Sequence, residues 1–220
     1  MVDHRAIELA CRARLQTLLV CTTGSATLAG TATGYARTTG SFVTDGFEQG
    51  MELAASGFSL PANNGPRTVT GVTDLALSCA GCAAEAAGAG RTLTVGLPAR
   101  AGWENVDFAP AAGRPSCEEH YLPGPAAVST IGPNGRIVSL PEYVINLYAT
   151  DNQGIGALAA YATAILTLFP PELVIGLANG DLLRVRGDQA PFRGQLLPDQ
   201  PGWAVLPVTI PLRCYSLNSI

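Results

Sequence analysis

Residues 78–95 read SCAGCAAEAAGAGRTLTV and place Cys79 and Cys82 at C-x-x-C spacing; CEEH, Cys117–His120, follows thirty-five residues after Cys82. Two folds compete for this stretch. A zinc-ordered turn would draw on Cys79, Cys82, Cys117 and His120 as a Cys3His set. A β-rich segment would carry the thiols as small apolar side chains. The second reading prevails. RTLTV has strand character, and on a strand the odd separation of Cys117 and His120 turns them to opposite faces. C-x-x-H is also a less common second half than C-x-x-C. Nor does a βαβ context surround Cys79 and Cys82 for dithiol chemistry. No metal and no cofactor is expected.

Working outward, Thr22 to about Gly96 is rich in Gly, Thr, Ala and Val. Short strands are expected near Thr31–Tyr35, Met51–Ala54, Thr68–Thr73, Leu75–Cys79 and Thr92–Val95. Breaks fall at TDGFEQG, NNGPR and GAG. Strands this short and closely spaced suit a small barrel or sandwich. Before them, Asp3–Leu19 has helical periodicity, with Ile7, Cys11, Leu15 and Leu18 on one face. Arg5, Glu8, Arg12 and Gln16 lie opposite, Asp3 caps, and Glu8–Arg12 forms an i,i+4 pair.

Beyond Leu97, WENVDFAP and SCEEHYL read as strands. LPEYVINLYAT alternates, with Tyr143, Ile145 and Leu147 on one face. Between the last two, Leu122–Val138 reads as a long, proline-stiffened connection. A helix is expected over Ile155–Phe169, with apolar positions 155, 158, 159, 162, 165, 166 and 169, capped by Asp151 or Asn152 and stopped by Pro170-Pro171. LVIGLANGDLLRVRG predicts a hairpin closed by Asn179-Gly180 in a type I′ turn. The chain then turns around Asp199 into a long strand whose Leu206, Val208, Ile210, Leu212 and Cys214 share a face. Pro207 and Pro211 put their missing N–H groups on one edge of it, which predicts a border strand or an edge left unpaired. The expected fold is α+β: a mostly antiparallel sheet with two packed helices, formed by 1–21 and 98–220, plus a small all-β barrel inserted at 22–97.

The chain has 220 residues, 47% of them hydrophobic, with a net charge of −4. Its 13 basic residues are all arginine, scattered singly, so no basic stripe is set to follow a phosphate backbone. No apolar run approaches the roughly 20 residues of a membrane span. The start reads as polar-faced helix rather than signal peptide, which predicts a cytoplasmic protein whose six cysteines are free thiols. The only histidines are His4 and His120. No nucleophile elbow, phosphate loop or dinucleotide fingerprint appears. Arg186-Gly187-Asp188 reads as a hairpin-exit turn. An enzyme is not expected.

DHRAIELACRARLQTL, RAGWENVDFAPAAGRPSCEEHYLPGP, LPEYVINLYAT with GIGALAAYATAILTLF, and RGQLLPDQPGWAVLPVTIPLR together resemble the tail terminator proteins of long-tailed bacteriophages, over residues 1–21 and about 98–220. SFVTDGFEQGMELAASGF with NNGPRTVTGV resembles a β-barrel module of phage tail proteins. The resemblance implies a non-catalytic virion protein of the tail and neck, present in the host cytoplasm during assembly. It would form a ring, usually hexameric, that caps the tail tube, fixes its length and joins the head connector or stopper protein. Genomic DNA would pass through the lumen without specific binding, and no membrane would be involved. Leu122, Pro123, Pro125, Ile131, Pro133, Ile137 and Val138 are the expected contacts between subunits or rings. Another tail component, a tube or completion protein, is the alternative; a zinc-binding protein using the cysteines is a third.

Overall fold

The computed structural model describes residues 2–98, 100–103, 108–110, 112–130, 135–150, 155–200 and 202–217. Helix α1 (His4–Leu15) begins where the Asp3 side chain accepts a hydrogen bond from the Ala6 N–H at 3.0 Å. It is shorter than the periodicity predicts, because Leu19 onward pairs as a strand. The chain then builds β1 (Leu19–Thr22), β2 (Ala26–Thr31), β3 (Gly34–Arg37), β4 (Glu52–Ser56), β5 (Gly65–Val72), β6 (Ala76–Cys79) and β7 (Glu85–Gly96). These pair in the order β1-β7-β2-β3-β6-β5-β4, and β4 returns to β7. β2 to β7 thus close a six-stranded barrel. β7 is the seam: its residues 85–91 meet β2, and residues 92–95 meet β4. Its far end also holds β1, whose other edge has no strand partner among the described residues.

The opening stretch therefore folds as the barrel's closing strand. GAG, expected as a break, lies inside β7. Two irregularities in the β2–β7 register accommodate it. Thr31–Tyr35, expected as one strand, straddles the tight turn between β2 and β3.

The second sheet comprises β8 (Arg100–Gly102), β9 (Ser116–Leu122), β10 (Ala126–Val128), β11 (Arg136–Ser139), β12 (Glu142–Thr150), β13 (Val174–Gly176), β14 (Leu182–Val185), β15 (Phe192–Arg193), β16 (Leu197–Gln200) and β17 (Trp203–Leu217), with helix α2 (Gly156–Leu168) between β12 and β13. Its axis is β17. On one side β11 and β12 pair with it in a single register, from Arg136↔Leu217 to Thr150↔Trp203. On the other side β16, β15 and β14 cover it in succession. β17 is therefore an interior strand, which corrects the border expectation. Pro207 and Pro211 fall where one short covering strand hands over to the next. Their carbonyls still accept from the Gly194 and Arg186 N–H groups at 2.8 and 2.9 Å.

The expected α+β class is overturned: the fold is mostly β, 47% strand and 14% helix, with a closed barrel, a curled half-barrel sheet and two helices. Several segments read as loops are strands. The connection at 123–139 contains the β10–β11 hairpin, and Ala-Gly-rich 85–90 belongs to β7. Neither has strong strand propensity, so ladder neighbours impose the conformation. Of WENVDFAP, Trp103 and residues 108–110 lie outside any strand, and 104–107 lie outside the described residues. Asp199 lies within β16, and the chain turns at Gly202. The β13–β14 turn is also different: Gly180 alone has positive φ, and the Gly180 N–H bonds to the Leu177 carbonyl. That is a three-residue loop ending in a left-handed glycine, not type I′. The proposed helix caps Asp151 and Asn152 lie outside the described residues.

Candidate functional site

The structure separates the cysteine–histidine set. Cys79 ends β6 on the barrel and Cys82 follows it, whereas Cys117 and His120 lie on β9 of the other sheet. Cys117 is buried and His120 half-exposed, as alternation requires. Burial pushes the Cys79 and Cys117 thiols up to about 12. No three His, Cys, Asp or Glu side chains among the described residues converge to hold a metal.

Both histidines have partners. His4 Nδ1 lies 2.7 Å from the Tyr121 hydroxyl. His120 Nε2 is 3.3 Å from Glu118 Oε2, which also accepts from the Tyr148 hydroxyl at 2.8 Å. The neighbouring thiol, Cys117, faces the opposite side of the strand. Arg186 and Asp188 pair with each other, and Arg213 joins them.

Two buried ionic clusters escaped sequence reasoning. In the first, Glu119, 2% exposed, accepts from Arg12 Nε at 2.5 Å and from the Tyr143 hydroxyl. Arg12 also holds Glu8, and its guanidinium lies 4.9 Å from the Trp103 ring centroid. This cluster docks α1 onto β9. Burial, then the Glu119 charge, pushes the Tyr143 hydroxyl pKa up. In the second, Glu85 accepts from the Ser59 and Leu60 N–H groups, Asn63 Nδ2 and Arg91. Arg91 in turn donates to the Leu28 and Ala86 carbonyls. Burial raises the Glu85 pKa, but those donors outweigh it and hold the carboxyl below its ordinary value. Each buried charge is consumed by a structural partner. The alternation on β9 could have flagged Glu119, since Cys117, Glu119 and Tyr121 share one face.

The expected contact segment runs along the end of the sheet and is open to solvent. Leu122–Thr130 carries no charge and is exposed at every position except Gly124. Leu122 is 49% and Val128 60% exposed. Its base is fixed: the Leu140 N–H bonds to the Pro125 carbonyl, and a Cβ at Gly124 would sit 1.7 Å from the Leu140 oxygen. Pro123 and Pro125 are exposed, and Ile137 and Val138 half-buried on β11. Ile131 and Pro133 lie outside the described residues. β10 ends the sheet, with only β11 as a strand partner among the described residues.

A groove of about 710 Å³ runs between α2 and β1. Leu19 and Val20 of β1 line one side, and Gly156, Ala160, Thr163, Ala164 and Thr167 of α2 the other. Arg14 and Glu48 are the only ionisable residues lining it among the described residues. α2 has no charged residue at all, so its outer face is small and neutral. No helix among the described residues is long and apolar enough to cross a membrane.

No protein-family model and no curated protein matches the chain. One similar solved structure covers 54% of this chain and 79% of its own length, at 20% identity and a TM-score of 0.43. A likeness of that size carries no argument about function.

Proposed function

We propose that this chain is a structural, non-catalytic subunit of a long-tailed phage's tail: a terminator that forms a ring, caps the tail tube and meets the head connector. The observation that carries the reading is the uncharged ribbon Leu122–Thr130 at the end of the sheet, with its apolar side chains in solvent. An exposed apolar edge of this kind marks a surface that becomes buried in an assembly. The sequence resemblance over 1–21 and about 98–220 supplies the kind of assembly. The buried charges fit a structural role, since each has a fixed partner rather than a cleft to act in. The lysine-free, mildly acidic composition suits a ring through which DNA slides without being gripped.

The test is the mass of the purified protein in solution, with and without tail tubes, combined with electron microscopy of capped tubes. The expected result is a ring of about six 22.7 kDa chains seated at one end of each tube. Labelling repeated along the tube would instead identify a tube component. Failure to bind tubes in any state would overturn the reading.

A further inference from the structure

We propose that subunits join arm-to-groove: β10 of one copy lies in the α2–β1 groove of the next and adds a strand to the free edge of β1. The inference rests on the ring reading and specifies its contact. Three observations select a second copy of this chain as the occupant. First, the chain has a strand edge on each side of the contact, β10 at the end of one sheet and β1 at the end of the other. A groove formed by an open strand edge and a helix is the setting in which an extended segment is held by main-chain hydrogen bonds. Second, the two surfaces match in polarity. The arm is neutral from Leu122 to Thr130, and the groove's helical wall is uncharged and, apart from Leu168, made of small side chains that let a backbone approach closely. Third, opposite charges without ion-pair partners among the described residues face each other across the contact; the groove's other ionisable residue, Arg14, is turned to the Leu168 carbonyl and the Phe169 ring. Glu48 lines the groove, and Arg136 stands at the foot of the arm, where its carbonyl accepts from the Ser129 N–H. The two charges are complementary, so docking the arm offers each the partner it lacks.

The contact is head-to-tail, so each copy uses its arm once and its groove once, and rotation can close a ring. This yields a mixing experiment. Val128→Asp disables the arm but keeps the groove. Thr163→Arg, at an exposed position of α2, blocks the groove but keeps the arm. Each variant alone is expected to be monomeric, with the dissociation constant raised roughly 30-fold or more. Mixed in equal amounts they should form a heterodimer and stop there, because one competent contact remains. Circular dichroism and Tm matching the parent chain establish that each variant is folded. Should Val128→Asp fail to fold, Ala127→Asp takes its place. Independently, Glu48→Arg and Arg136→Glu should each weaken assembly, and the two together in one chain should restore it. Rings that form despite blocked arms and grooves would overturn the arm-to-groove contact and leave the terminator reading standing. Heterodimers from the mixture, with rings that ignore tail tubes, would support the contact and overturn the terminator reading. A parent chain monomeric under all conditions, tubes included, would overturn both.

Discussion

Glu119 sits at the point where a helix meets a sheet, and its two oxygens answer two different elements. Arg12 reaches it from α1 and the Tyr143 hydroxyl from β12. Removing the carboxylate leaves a guanidinium and a hydroxyl without a partner, which costs more than the net worth of the pair. Glu119→Ala is therefore expected to destabilise the protein by about 3 kcal/mol, measured by urea unfolding. Glu85 gives the pH response. Its folded-state pKa lies below the unfolded one, so its contribution is present above about pH 4.3, the ordinary carboxyl value, and is lost as pH falls through the folded value. Glu85→Gln should lower Tm at pH 7, and its difference from the parent should shrink below pH 4. The six cysteines give a third expectation, because five are buried and only Cys82 is half-exposed. A thiol reagent should label Cys82 alone in the native protein and all six after unfolding. The free-thiol state was legible from composition, but the ionic clusters were not. Arg12 and Glu8 read as a solvent-facing helical pair, since a helix wheel places polar residues outside without knowing what lies across from them. Glu8 is in fact buried at 8% exposure.

At the scale of elements, strong periodicity was read correctly and neutral segments were not. SCEEHYL and LPEYVINLYAT are both strands as expected, and the alternation read in the second puts Tyr143, Ile145 and Leu147 on its buried face. α2 was located within a residue at each end, and four positions of its expected stripe, 158, 162, 165 and 169, are buried, but the stripe was set partly off the core side. The core side is Ala157, Leu158, Tyr161, Ala162 and Ile165, whereas Ile155, placed on the stripe, is 44% exposed. A helix without a single charge has no polar face to contrast with its apolar one, so several rotations fit the pattern equally well. Two positions of the expected stripe make a measurable distinction. Leu158→Ala should cost about 3 kcal/mol through lost burial and a cavity. Ile155→Ala should change stability by less than about 0.5 kcal/mol. The two prolines of β17 show a similar pattern. Their shared edge was legible, but the covering of that edge by three short strands was not, because each piece is too brief to register alone. The β10–β11 hairpin was hidden for the opposite reason: proline and glycine suggested a loop, while its pairing is set by the end of β17.

For the molecule as a whole, the question is whether the barrel and the curled sheet stand independently. Their buried side chains form one continuous cluster, running from Leu28, Leu53 and Leu93 in the barrel to Ile145, Val208 and Ile210 in the sheet. α2 lies between them. Tyr161 is fully buried there, and its hydroxyl accepts from the Glu52 N–H of β4 at 3.4 Å, so one side chain touches both bodies. A core shared in this way makes the loss of either body expose the other's apolar surface, which favours a single cooperative transition. Two local probes can separate the bodies. Both tryptophans, Trp103 and Trp203, lie beyond the barrel, whereas the Cys79 thiol is buried within it. Tryptophan fluorescence and labelling of Cys79, located by mass spectrometry, should follow the same denaturant curve. Tyr161→Ala removes the bridging ring and should cost about 3–5 kcal/mol. If the shared core couples the bodies, both probes shift together to lower denaturant in that variant. A Cys79 midpoint that stays in place while the tryptophan midpoint falls would show instead that the barrel folds on its own core.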